Sequence, residues 1–346
     1  MKKFLTLLFA LIITFSNNNN AYSSGGGHGG EEKKEGEKKE GEKKEASHGG
    51  DPEAHKDTVN SVAFLPDGKS VISISNDKYI KFWDPEKGKF NKKELKGHNG
   101  QITSMAMSKD GKILATGDNK YKIKLWSLQL MKELKTISAH FGSVSSLAFT
   151  TNSKYLVSSG YDKKIKIWDV TSGKLLKTIV DDDMVNSLAV SPNNNLIITA
   201  GNDKKIKIWD FKTGSLLKSI KTHTFSVNNV VFSSNGTYLA TSSWRELKIW
   251  NTSNWGLVSA FTGNEVGGLA FSPDEKLIAS GGGYYAKSVK IWNVINKKLL
   301  HELKGSEGAV SSVAFSPDGK FLVSSGDDYK VRFWNLETGK DKFEET

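Results

Sequence analysis

Short runs in which apolar and polar residues alternate recur seven times along the chain. Trp83, Trp126, Trp168, Trp209, Trp250, Trp292 and Trp334 stand 41 to 43 residues apart, each just after an apolar–basic–apolar triplet such as Ile80-Lys81-Phe82, Ile165-Lys166-Ile167 or Val331-Arg332-Phe333. Period-two alternation of this kind predicts a strand. Upstream lies another run (Val62-Ala63-Phe64, Leu147-Ala148-Phe149, Val313-Ala314-Phe315). Turn residues follow it, as in Pro66-Asp67-Gly68, Lys109-Asp110-Gly111 and Pro317-Asp318-Gly319. Proline presets the first turn position and glycine tolerates positive φ. A further run comes next (Val71-Ile72-Ser73, Leu156-Val157-Ser158), and a last one follows the Trp (Leu175 to Ile179, Leu216 to Ile220).

Each unit therefore predicts four antiparallel strands, and seven units predict roughly 28, with no helical periodicity. An open sheet that wide would curl or split. Radial repetition solves the edge problem, because each unit packs on its neighbours around an axis. The fold predicted is all-β: a seven-bladed β-propeller of four-stranded antiparallel blades. Over residues 55–346 the sequence resembles WD-repeat (WD40) propellers. The marks are Trp83-Asp84, Trp168-Asp169 and Trp209-Asp210, with Gly97-His98, Ala139-His140, Thr222-His223 and Ser316-Pro317-Asp318-Gly319.

That resemblance implies a hydrogen-bond chain inside each blade, from a His through a Ser or Thr to the Trp, with an Asp on the far side of the His. It places His140, Ser158 (or Ser159), Asp162 and Trp168 in one set, and His55, Ser73 (or Ser75), Asp77 and Trp83 in another. His98, Asp118 and Trp126 form a set shifted by an inserted loop residue. Asp203, Trp209, His223, Trp250, Trp292, Asp328 and Trp334 are the corresponding residues in blades 4 to 7. Sets repeated in this way are structural, whereas a nucleophilic site would occur once and open onto a cleft. No catalytic residue, metal or cofactor is expected. Blade 4 has Asp181-Asp182-Asp183 where the His belongs, and blade 5 has Trp244-Arg245-Glu246 where the Asp belongs. Blade 6 lacks both, with Asn264-Glu265 and Gly281 to Ala286, and blade 7 has Ser306-Glu307 for the His. Blades 4 to 7 are expected to be the softer part of the ring. Asp341 to Glu345 aligns with a fourth strand, so the last blade is predicted to be contiguous and to close the ring by packing on blade 1.

The N-terminus reads differently. Lys2 and Lys3 precede an apolar run from Phe4 to Phe15, too short to span a bilayer and suited to a signal peptide. Residues 1–23 are read as that peptide, cleaved after Ser23 or alternatively after Ala21, so the protein is expected to be exported to the periplasm or secreted. Residues 24–56, with EKKEG repeats and very few apolar side chains, are read as a disordered charged and Gly-rich spacer ahead of a propeller over 57–346. There is no cysteine, which excludes disulfides, thiol catalysis, cysteine zinc sites and a cysteine lipid anchor. The net charge of +11 falls wholly on the propeller. It suits anionic surfaces, including a membrane surface touched but not spanned, where Trp255 in a turn could assist. The basic residue two before each Trp is spread one per blade without interleaved aromatics, so nucleic acid is not the expected partner. Asn235-Gly236-Thr237 and Asn251-Thr252-Ser253 match the glycosylation pattern.

The family resemblance implies partner binding on the face that carries the loops before the first and third strands of each blade. Large side chains expected there are Phe141, Tyr161, Trp244, Arg245, Tyr284 and Tyr285, around an acidic loop of Asp181, Asp182 and Asp183. Such residues are typical binding anchors. The expected function is a non-catalytic scaffold that binds a protein or peptide there. The alternative is a small-ligand propeller, for carbohydrate or metal, or an enzymatic one.

Overall fold

A computed structural model describes residues 54–262 and 266–343. The expected signal peptide, most of the spacer, and Asn264 and Glu265 lie outside the described residues. Within them stand seven four-stranded antiparallel sheets, each in the simple order first–second–third–fourth. In blade 3 these strands are Val144–Phe149, Tyr155–Gly160, Lys164–Asp169 and Leu175–Val180. The meander puts the loops before the first and third strands at one end, here the upper face, and the other two turns at the lower face. Ala54 to Lys56 belong to the fold although composition assigned them to the spacer: His55 is buried and Lys81 Nζ donates to Ala54 O at 2.8 Å.

The core lies between blades. Ile72, Ile74 and Phe82 of blade 1 pack with Met105, Leu114 and Trp126 of blade 2 in one cluster, and comparable clusters join the other neighbours. Because each blade buries its faces only against its neighbours, the sheets cannot leave the ring singly without exposing both faces. The ring closes as the sequence predicts. Lys340–Asp341 is the short fourth strand of blade 7, and Val59, Val62 and Phe64 pack with Ala314, Val323 and Phe333. Val62 N donates to Ser312 Oγ at 3.1 Å, and Lys342 Nζ donates to Pro85 O at 2.9 Å.

The lower turns follow one rule around the ring. Gly68, Gly111, Gly236 and Gly319 have positive φ and stand against Pro317, Pro66, Pro192 and Pro273 of the preceding blade. The other three turns put Ser153, Asn194 and Glu275 at that positive φ. In those cases the preceding blade has no proline, and each side chain accepts a backbone N–H from it: Lys109, Thr151 and Asn235 respectively. A turn that keeps its N–H thus faces an acceptor, and a turn closed by proline faces a glycine.

Inner strands are tied by amide and hydroxyl side chains that reach the next blade. Asn60 Nδ2 donates to Ile102 O at 2.7 Å, Thr103 Oγ1 to Val144 O at 2.6 Å, and Asn229 Nδ2 to Gly267 O at 2.7 Å. Between blades 6 and 7 the approach is closer still, since a Cβ on Gly267 would lie 2.1 Å from Val310 O.

Candidate functional site

The repeated polar residues form the interior chain that the resemblance implies. In blade 3, Trp168 Nε1 donates to Ser158 Oγ at 2.8 Å, Ser158 Oγ meets His140 Nε2 at 2.7 Å, and His140 Nδ1 meets Asp162 at 2.8 Å. Blade 1 repeats it with Trp83, Ser73, His55 and Asp77. The choice between neighbouring serines is thereby settled, because Ser159 bonds Ser145 and Ser75 donates to Asp57 O. Burial lowers the pKa of His55 and His140 against the pull of their aspartates. A neutral ring with its proton on Nδ1 satisfies every partner. Burial alone would raise the pKa of Asp77 and Asp162, yet the hydrogen bonds from His55 and His140 hold both carboxyls below their usual range.

Blade 2 corrects one expectation. No residue is inserted: Trp126 bonds Thr116, ten positions earlier as in blade 3, and His98 meets both Thr116 and Asp118 at 2.7 Å. Asp118 ends the second strand, where blade 3 has Gly160, so the carboxyl arrives from two positions earlier.

Blades 4, 5 and 7 are not stripped of internal bonds. In blade 5, Glu246 takes the place of the aspartate. His223 Nδ1 reaches it at 2.9 Å while Nε2 meets Thr241 at 2.8 Å, and Trp250 donates to Thr241 at 2.9 Å. Glutamate's extra methylene makes up for its displaced position. Burial takes the His223 pKa down to about 4. In blade 4 a carboxylate replaces the imidazole: Thr199 Oγ1 donates to Asp181 at 3.1 Å and accepts from Trp209 Nε1 at 3.0 Å. Lys207, only 3% exposed, donates to Asp181 and lies 2.7 Å from Asp203 and 3.2 Å from Asp182. In blade 7, Trp334 donates to Ser324 at 2.8 Å and Arg332 pairs with Asp328. Trp292 of blade 6 sits outside such a chain, leaning on Phe261 with ring centroids 5.0 Å apart.

Asp181 is therefore an interior residue, not part of an acidic partner loop. Asp182 remains exposed, and Lys163 stands 4.0 Å from Asp183. Asp181, Asp182 and Asp203 are also the one group of three metal-ligating side chains among the described residues. The Lys207 ammonium already stands among their oxygens, in the place a cation would take. Burial works against that ammonium, but its hydrogen bonds to Asp181 and Asp203 prevail and raise its pKa.

The basic residues two before each Trp serve the interior too, a role that sequence reasoning missed. Lys81, Lys166 and Lys248 each donate to the carbonyl just ahead of the blade's histidine: Ala54, Ala139 and Thr222. The spacing could have shown it, since these carbonyls lie 26 or 27 residues upstream in all three blades.

Exposed aromatics gather on the upper face. Phe141 is 81% exposed, Tyr284 67% and Tyr285 83%. Tyr284 and Tyr285 stand edge to face at 5.5 Å. Trp244, 38% exposed, packs edge to face on Phe225 at 5.1 Å and carries the Arg245 guanidinium 4.5 Å from its ring. Phe225 was not expected from the sequence, although it lies just after His223 much as Phe141 follows His140. Tyr161 is half-buried, and burial raises its hydroxyl pKa to about 12. It supports the loop rather than projecting from it.

Comparison with known proteins agrees with this geometry. The family described as "WD domain, G-beta repeat" (WD40) matches at residues 50–84, 89–127, 131–169, 173–210, 214–251, 255–293 and 297–335. Among curated proteins, a segment of 46 residues is 52% identical to nuclear distribution protein PAC1 of Arthroderma benhamiae and of Trichophyton verrucosum, and 50% identical to that of Arthroderma otae. The match covers 13% of this chain and 10% of each relative, so it speaks for one repeat.

Proposed function

Since the chain belongs to the WD40-repeat family, as a non-catalytic propeller, we propose that it binds a protein or peptide partner on its upper face. One observation carries this reading: Phe225 with Trp244 and Arg245, Phe141, and the Tyr284–Tyr285 pair project from loops that the fold gathers at one end. Trp, Tyr and Arg dominate binding hot spots, and large aromatics expose apolar area at little rotamer cost. With Asp181 turned inward, the partner meets aromatics and a guanidinium beside the exposed Asp182 and Asp183 carboxylates, which suits a peptide of apolar side chains with charged groups between them. Export remains part of the proposal and rests on the apolar run from Phe4 to Phe15. It is tested by sequencing the N-terminus of the mature protein.

The functional test is capture from the source organism's fractions by wild type and by Trp244→Ala/Tyr284→Ala. Loss of a specific protein from the variant, with an unchanged melting temperature, is the expected result. Equal capture by both would place the partner elsewhere.

A further inference from the structure

A second exposed surface differs in kind and lies on the opposite rim. The fourth strands of blades 3 and 4 (Leu175–Val180 and Leu216–Lys221) begin at the lower face, at the outermost edge of their sheets. Each opens with Leu-Leu-Lys. Leu175, Leu176, Leu216 and Leu217 are 46 to 56% exposed, and Leu134 of blade 2 continues the row at 44%. The register slips at each pair: Leu175 stands opposite Trp168 and Lys177 opposite Ile167, Leu216 opposite Trp209 and Lys218 opposite Ile208. Leu176 and Leu217 are therefore bulge residues, outside the ladder at the free edge of the sheet.

The row is laterally continuous. Lys135 Cδ stands 3.1 Å from where a Cβ on Gly173 would lie, Lys177 Cδ stands 3.0 Å from the same point on Gly214, and Lys177 Nζ donates to Lys212 O. Exposed Lys132, Lys174, Lys212 and Lys218 stand among the leucines. Of the carboxylates nearby, Glu133 is neutralised by Lys124 at 2.6 Å, whereas Asp169 and Asp210 accept from the Ser172 and Thr213 hydroxyls at 2.7 Å and keep their charge, so the four lysines outnumber the two uncompensated acids.

Residues 128–135, 171–178 and 212–219 contain no Trp, Tyr or Arg. Leucine and lysine are under-represented at protein hot spots and interface cores, so this edge lacks what a protein partner would grip. A second copy would set lysine against lysine. Leucine beside lysine on an exposed edge is instead the composition of surfaces that lie in a lipid interface, with apolar side chains entering the acyl boundary and ammonium groups among anionic headgroups. We propose that the lower outer edge of blades 2 to 4 docks on an anionic lipid surface. Trp255, the anchor expected from sequence, does not take part: it is half-buried and packs on the cluster between blades 4 and 5.

The absence of native cysteine makes the test site-specific. Full-length Leu176→Cys carries a polarity-sensitive dye, and Tyr285→Cys with the same dye reports the upper face. Vesicles of phosphatidylcholine with phosphatidylglycerol should blue-shift the dye at 176 and leave that at 285 unmoved. Pure phosphatidylcholine should do neither. Reversing both Lys174 and Lys218 to Glu should weaken the response by at least about 30-fold, and raised salt should weaken it too. No shift at 176, or an equal shift with neutral vesicles, overturns the proposal. So does a shift produced by polyglutamate and not by vesicles, which would make the edge a site for an acidic protein. The Trp244→Ala/Tyr284→Ala variant should keep the vesicle response, so failure here and failure of partner capture are separate results.

Discussion

Lys207→Met removes the ammonium from blade 4 and keeps most of its volume. It leaves Asp181 buried beside Asp203, with Thr199 Oγ1 and the Asp182 backbone N–H as the remaining partners of Asp181. Breaking a buried ion pair from one side costs about 3–5 kcal/mol. The exposed Asp182 carboxylate shows that water reaches the rim of this cluster, so the lower end, about 3 kcal/mol, applies. For a domain of this size that is a fall of roughly 5 °C in Tm. The assay is a pair of thermal melts across pH. The deficit should be full near neutrality and shrink as the medium turns acid, because protonation removes the negative charge that has lost its counter-ion. In the wild type the raised pKa of Lys207 works the other way round. Its contribution is present below the ordinary lysine value and is lost only as strong alkali deprotonates it. Adding calcium or a chelator should leave the wild-type melt unmoved, since the ammonium already stands among the three carboxylates. A variant as stable as wild type at neutral pH, or a wild-type melt raised by calcium, would refute the reasoning.

Three further outcomes follow from the interior. Neutral, buried His223, with its pKa near 4 against an ordinary 6.5, makes stability fall as the medium is acidified from about pH 6.5 toward 4. The unfolded chain binds the proton first, and the loss is roughly 3 kcal/mol for this residue; denaturant midpoints that stay flat over that range would contradict it. Thr151→Pro and Asn194→Gly should each cost about 1–2 kcal/mol, because either one breaks both bonds of the pair, Thr151 N to Asn194 Oδ1 at 2.7 Å and Asn194 Nδ2 to Thr151 Oγ1 at 2.6 Å. The double variant installs the proline–glycine pair of the other junctions, so urea melts should show the two losses failing to add by about 1 kcal/mol, and strict additivity would count against the turn rule. Gly267→Ala forces blades 6 and 7 apart at Val310 O, with a loss of about 3 kcal/mol by chemical denaturation; a neutral result would mean the two strands stand further apart.

Period and turn chemistry made the ring legible, because every blade repeats the same physical problem: bury two sheet faces and satisfy one Trp N–H. What escaped were positions where a different side chain solves that problem. Glu246 reads as a lost aspartate until its extra methylene is seen to span the displacement to His223. Three consecutive aspartates read as a solvated loop, yet Asp181 stands the same 18 residues before Thr199 as His140 does before Ser158. The third-strand lysine, present in every blade but the seventh, supplies the charge that turns a carboxylate into an acceptable replacement for a histidine. The lower leucines were in view as strand residues, but whether a fourth strand is covered depends on neighbouring blades, which a single repeat does not encode.

The interior chain also bears on the upper face. Its acids accept the backbone N–H of the residue after the histidine, or in blade 7 after Ser306 in the same place: Lys56 on Asp77, Phe141 on Asp162, Thr224 on Glu246 and Glu307 on Asp328, at 3.0 to 3.2 Å. Phe141 and the Phe225–Trp244 pair thus project from backbone that the blade core already holds, and binding need not spend entropy on ordering those loops. Blade 6 lacks both the histidine and the acid. Its Tyr284 and Tyr285 are held instead by each other and by Lys287, 5.5 Å from the Tyr284 ring. The face therefore combines anchors on blades 3 and 5, beside loops tied to the blade acid, with an aromatic pair on blade 6 whose turn is closed by the Ala286 and Lys287 N–H groups on Gly283 O. In kinetic terms, loss at Trp244 should act on the rate of capture as well as release, whereas loss at Tyr284 should act on release alone.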